Sequence, residues 1–119
     1  MERLRQRADF LAAAGGIKVP AAHFILQARD RRDSGPVRIG FTVSKKVGNA
    51  VERNRVRRRL REIVRLKSGT ALRPGHDYVL VGRRAALSAD FSVLTDDYQR
   101  AIARIHNPRR QSKNDAPAL

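Results

Sequence analysis

An α+β fold in a single domain, with elements in the order α-β-β-β-α-β-α, is what this sequence predicts. Three patterns carry that expectation. Val37, Ile39, Phe41 and Val43 alternate strictly with Arg38, Gly40, Thr42 and Ser44, the period of a strand with one buried face. A long arginine-rich run then repeats its apolar residues at helical spacing, and an apolar, β-branched run at 78–81 follows it. Strand, helix and strand in that order make a parallel β-α-β unit, with further helices on either side. A chain of 119 residues has room for one domain. With 41% hydrophobic residues it can build a core without a metal or disulfide.

Each element follows from local signals. Residues 4–14 are rich in helix formers, Leu4, Ala8 and Leu11 share one face, and Gly15-Gly16 stops the run. Residues 17–19 form a brief apolar piece before Pro20, an expected edge strand. Over 23–29, Phe24, Leu26 and Ala28 point one way and Ile25, Gln27 and Arg29 the other. Asp33-Ser34-Gly35-Pro36 is a turn before the clearest strand. After Lys45-Lys46-Val47-Gly48, Asn49 and Glu52 have the spacing of a capping box; a helix starts there, runs to about Lys67 and ends at Ser68-Gly69. Arg73-Pro74-Gly75 turns the chain into the strand at 78–81. Residues 85–90 connect to a last helix, 91–105, with Leu94, Tyr98, Ala101, Ile102 and Ile105 on one face. The domain is expected over 1–106, and 107–119 is expected to be a basic, disordered tail.

Composition narrows the function. The absence of cysteine excludes disulfides and thiolate metal sites. No apolar run approaches the roughly 20 residues of a membrane span, and no signal-peptide core is present, so a cytoplasmic location is expected. Lys and Arg number 26 against 11 acids, a net charge of +15, and most of the basic residues are arginine. Charge of this size repels itself unless a polyanion is bound. Arginine pairs phosphate through two parallel hydrogen bonds and stacks on bases, so nucleic acid is favoured over an anionic membrane surface.

The basic run organises that charge. On a helical wheel Val56, Leu60, Ile63 and Val64 gather in one apolar arc. Opposite them lie Asn54, Arg55, Arg57, Arg58, Arg61 and Arg65, with Arg53 and Arg59 on the borders. Like charges at i, i+4 cost a few tenths of a kcal/mol each, and only Glu52 and Glu62 offset them. A mixed-sign face is ordinarily just solvated; a nearly single-signed one on a basic domain points to nucleic acid, without separating RNA from DNA. Beside it, Phe10, Ile25, Gln27, Arg38, Thr42 and Ser44 are expected near a groove between the first helix and the sheet, a track for a single strand. From composition alone Phe10 fits an ordinary core aromatic better than a groove residue.

Hydrolytic machinery is not evident. His23, His76 and His106 stand far apart in unrelated contexts, and the adjacent Asp96 and Asp97 diverge on a helix, so neither an acid–base pair nor a metal pair is expected. A DNA-binding regulator would need helix-turn-helix spacing, which is missing. A structural RNA-binding protein would share the charge and the basic helix.

The run Arg38-Ile39-Gly40-Phe41-Thr42-Val43-Ser44-Lys45-Lys46-Val47-Gly48-Asn49-Ala50-Val51, followed by Arg53-Asn54-Arg55 and Arg57-Arg58, resembles the signature of the bacterial ribonuclease P protein family. Asp9-Phe10 matches as well, and the resemblance spans about residues 4–106. It implies a protein subunit whose partners are ribonuclease P RNA and precursor tRNA, one protein monomer per RNA. In that assembly the RNA holds Mg²⁺ and performs the hydrolysis that removes the 5′ leader. By resemblance Arg53, Asn54, Arg55, Arg57, Arg58, Arg61 and Arg65 contact the catalytic RNA. Phe10, Arg38, Thr42, Ser44, Lys45 and Lys46 line the leader groove, and no residue is catalytic or a metal ligand. The resemblance also implies a ribosomal-protein-like sheet with a left-handed β-α-β crossover, against the right-handed form of about 98% of such units. Ala14 and Gln27 stand where relatives often carry aromatics, which shifts leader contact toward arginine.

Overall fold

In chain order the computed structural model contains β1 (Glu2–Arg3), α1 (Arg7–Ala14), β2 (Ile17–Pro20), β3 (Phe24–Asp30), β4 (Arg38–Thr42), α2 (Ala50–Lys67), β5 (His76–Gly82) and α3 (Phe91–Ile105). Short 3-10 turns at Lys45–Val47 and Arg84–Leu87 lead toward α2 and α3. Residues 1–107 are described; the tail expected over 107–119 lies, beyond Asn107, outside the described residues.

The strands form one mixed sheet in the order β1-β4-β5-β3-β2. β4 runs parallel to β5 with Ile39 opposite Tyr78, and α2 makes the crossover between them. β3 is antiparallel to β5, with Leu26 opposite Leu80, and β2 is the antiparallel edge.

The α+β class and the later elements match the sequence reading, whereas the N-terminus does not. Residues 4–6 are not helical, and a two-residue strand precedes α1. The amide of Glu2 donates to the Val37 carbonyl at 2.7 Å and that of Leu4 to Ile39 at 2.8 Å. Pairing with the open edge of β4 satisfies these backbone groups, and Leu4 is buried under the sheet instead of on a helix face. The proposed face of Leu4, Ala8 and Leu11 therefore dissolves: Leu11 is 61% exposed, and Ala13 is the buried residue of α1.

Alternation assigns the two sheet faces. Phe24, Leu26, Tyr78 and Leu80 meet Val56, Leu60, Ile63, Leu94, Tyr98 and Ile102 in the main core. Each such side chain contributes about 1.5–3 kcal/mol on burial. On the opposite face Leu4, Ala13 and Val79 form a smaller cluster with Phe10 and Val81 packed against it. Gly82 lets α2 lie close, since a Cβ there would stand 2.7 Å from Val56 Cγ1. The capping box is formed: Asn49 Oδ1 accepts the Glu52 amide at 2.9 Å, and Glu52 Oε1 accepts the Asn49 amide at 3.0 Å. At the far end of α2 the Ser68 hydroxyl and the Tyr98 hydroxyl lie 2.6 Å apart, and burial pushes the Tyr98 phenol up to about 12.

Candidate nucleic-acid interface

The apolar arc of α2 is buried as its spacing requires, which turns the arginines outward. Their surroundings divide them. Arg53, Arg57, Arg58 and Arg61 have no carboxylate within ion-pair distance among the described residues; Arg57 donates to Asn54 Oδ1 at 3.0 Å. Arg65 is engaged by Glu62, one turn back. Arg55 Nε donates to the Leu87 carbonyl at 3.0 Å, leaving its terminal nitrogens available. Arg59 is a fastener: it donates to the carbonyls of Ala86 at 2.8 Å and Leu87 at 2.9 Å, and to that of Ala89. Burial lowers the Arg59 pKa, an effect enlarged by Arg55.

Two further arginines join this face from a part of the chain whose role the sequence did not reveal. β1 pairs with β4 only as far as Ile39, so the β4 edge opens at Gly40. There a cleft of about 430 Å³ is lined by Arg3, Leu4, Arg5, Phe10, Gly40, Phe41, Arg57 and Arg61. It has four guanidinium-bearing side chains and no carboxylate. The Arg61 guanidinium carbon lies 6.0 Å from the Phe41 ring centroid, a cation–π distance. Phe10 sits directly on the sheet, because a Cβ at Gly40 would stand 2.5 Å from Phe10 Cε1. The signal for Arg3 and Arg5 was their alternation about Leu4, a period of two hidden inside a helix-rich composition.

The remaining groove residues are placed differently from one another. Ser44, Lys45 and Lys46 are exposed where β4 leads into α2, and Thr42 is half-buried on the face of Gly40. Gln27 is buried opposite Val79, on the face α1 covers, so it does not line an open groove. Arg38 is held by a buried carboxylate. Asp77, whose side chain is 0% exposed, accepts from Arg38 Nε at 2.7 Å, Arg38 Nη2 at 2.8 Å and Arg31 Nη1 at 2.6 Å. Asp9 approaches Arg38 at 3.4 Å and Arg29 at 3.8 Å. Burial pushes the Asp77 carboxyl up, but the hydrogen bonds from Arg38 and Arg31 outweigh it and hold the group below the ordinary carboxylate range.

The histidine contexts are less separate than their sequence positions imply. His76 and His106 come together around Tyr78, with 6.0 Å between their ring centroids, because the start of β5 meets the end of α3. The Tyr78 hydroxyl lies 2.9 Å from His106 Nε2, and burial lowers His106 to about 4. His23 Nδ1 lies 2.7 Å from Asp97 Oδ2, which ties the start of β3 to α3. Among the described residues no group of three or more His, Cys, Asp or Glu is placed to hold a metal ion.

The fold and this face define a class: a small α+β protein with one helix docked by an apolar arc and an outer face of arginines that, among the described residues, mostly lack carboxylate partners. The Ribonuclease P family model matches residues 1–106. The chain is 50% identical over 110 residues to the ribonuclease P protein component of Ruegeria pomeroyi, covering 89% of this chain and 87% of that one. It is 52% identical over 101 residues to that of Gluconacetobacter diazotrophicus, covering 84% and 87%. Its fold is similar to the solved RNase P proteins of Staphylococcus aureus (TM-score 0.74, 26% identity, 90% of this chain and 99% of that one) and Thermotoga maritima (TM-score 0.74, 30% identity, 88% and 98%). The chain belongs to the ribonuclease P protein family. Membership implies a role in the ribonuclease P ribonucleoprotein and tRNA processing, with an RNA partner.

Proposed function

We propose that this protein docks ribonuclease P RNA through the outer face of α2 and holds the 5′ leader of precursor tRNA along the Phe10 side of the sheet. The observation that carries the reading is the set of α2 arginines without carboxylate partners among the described residues, joined by Arg3 and Arg5 at the open edge of β4. In this reading Arg53, Asn54, Arg57, Arg58 and Arg61 neutralise phosphates of the catalytic RNA, with Arg55 at one border and Arg65 after release from Glu62. Phe10 offers a ring to a leader base, and Thr42, Ser44, Lys45 and Lys46 extend the track toward α2. Arg38 acts there mainly by position, since its guanidinium is bound to Asp77.

In this reading hydrolysis belongs to the RNA, which holds the Mg²⁺. The protein contributes by bringing leader and catalytic RNA to one basic surface, lowering phosphate repulsion where they meet. On the same reading it works as a monomer, one per RNA, in the cytoplasm.

The test is precursor-tRNA cleavage by a bacterial ribonuclease P RNA at low Mg²⁺, with and without the protein. Restored 5′ cleavage is expected, and RNA-free protein alone should cleave nothing. A protein that binds RNA but leaves cleavage and leader-length dependence unchanged would instead be a structural RNA-binding protein.

A further inference from the structure

The border of α2 facing α3 carries a second combination of arginine and aromatic. A cleft of about 460 Å³ is lined by Arg55, Arg58, Arg59, Glu62 and Phe91. Phe91, the first residue of α3, is 36% exposed, whereas Phe10, Phe24, Phe41, Tyr78 and Tyr98 are all buried or half-buried. The cleft is firmly built: Arg59 and Arg55 bind the carbonyls of residues 86, 87 and 89, which fixes the start of α3 against the middle of α2. Its one carboxylate, Glu62, is already held by Arg65. Arg58 and the terminal nitrogens of Arg55 are left facing solvent beside an exposed ring.

An apolar partner would match the ring but would leave these guanidinium groups unpaired and desolvated, at a cost. A nucleotide matches both: its base has a π-face for Phe91, and its flanking phosphates match Arg55 and Arg58. We propose that this cleft takes one unpaired nucleobase of the ribonuclease P RNA, stacked on Phe91, with adjacent phosphates on Arg55 and Arg58. The inference rests on the RNA-docking reading and extends it: α2 would be gripped along both borders, by the Phe41–Arg61 side and by the Phe91–Arg58 side.

The chain has no tryptophan, so F91W introduces a single indole as a reporter. F91W is titrated with ribonuclease P RNA and, separately, with a blunt, fully paired RNA duplex at the same ionic strength. Quenching of the indole by ribonuclease P RNA but not by the duplex is expected. F91A should weaken binding to ribonuclease P RNA by about 5- to 150-fold, the range for loss of one stacked base, with F91Y restoring it. Equal quenching by the duplex, an unchanged indole on bound RNA, or wild-type affinity of F91A overturns the stacking site. Should F91A fail to fold, the indole titration decides alone. Failure of the wild-type protein to bind ribonuclease P RNA would instead remove the docking reading itself.

Discussion

Arg38 and Arg57 are the same residue type on neighbouring elements of one sheet-and-helix unit, with opposite employments. Arg38 faces Asp77, a carboxylate removed from water, and is held by two hydrogen bonds. Arg57 is half-buried on the outer face of α2, with the Asn54 amide oxygen as its one side-chain partner given by a hydrogen bond among the described residues. A buried carboxylate makes an arginine part of the fold, because removing either partner strands a charge in a low dielectric. Where no carboxylate is near, the same side chain adds only repulsion to the isolated protein and gains its partner when a polyanion arrives. The Asp77 cluster and the α2 face are thus both arginine-rich, one completed by folding and the other, on the proposed function, completed by RNA.

The comparison breaks most easily at Asp77. D77N should destabilise the protein by about 3–5 kcal/mol, the usual cost of stranding buried charges, read as a lowered denaturation midpoint. R38A should lose stability in the same assay. If R38A instead kept its stability and lost only leader-length-dependent affinity for precursor tRNA, Arg38 would belong with the binding arginines.

Overpacking at the groove should cost less. G40A places a Cβ against the Phe10 ring and should destabilise by about 1–3 kcal/mol, with leader affinity falling as Phe10 is displaced. Wild-type leader affinity with a displaced Phe10 would exclude that ring from the track.

Acid should probe a different region. The folded-state pKa of His106 is depressed from 6.5 to about 4 by burial. The unfolded chain therefore binds the proton first, and the stability contributed by neutral His106 is complete above about pH 6.5 and lost as pH falls toward 4. H106Q should flatten the pH dependence of the melting temperature in that window. The Asp77 contribution, its pKa also depressed, disappears only as pH falls below the ordinary carboxylate range.

The smallest change in stability should come from α2. R57A and R61A should each shift stability by no more than about 0.5 kcal/mol. Wild-type affinity for ribonuclease P RNA should fall with salt at a log–log slope of about −4 to −5, as for roughly six neutralised phosphates. Each substitution should make that slope shallower by about 1. A slope near zero in the wild type would detach the arginine face from RNA binding.

Elements with a local cause were legible from the chain alone. The Asn49–Glu52 cap and the apolar arc of α2 are set by neighbours within a few residues and formed as their spacing required, while the alternation over 37–44 formed a strand over its middle, Arg38–Thr42, with Val37 and Phe41 half-buried. The net charge and the single-signed helix likewise marked a polyanion partner without coordinates. What the tertiary structure decided depends on contacts distant in sequence. Only strand pairing turns residues 2–3 into β1 and carries Arg3 and Arg5 to Arg57 and Arg61. Only the sheet places Asp77 between Arg31 and Arg38, and only α3 brings His106 to His76 and Phe91 to the border of α2. Local propensity and periodicity set which residues face inward, whereas the pairing of charges separated by tens of residues is fixed only when strands and helices pack, and that pairing separates arginines held by a buried carboxylate from those of the proposed RNA face.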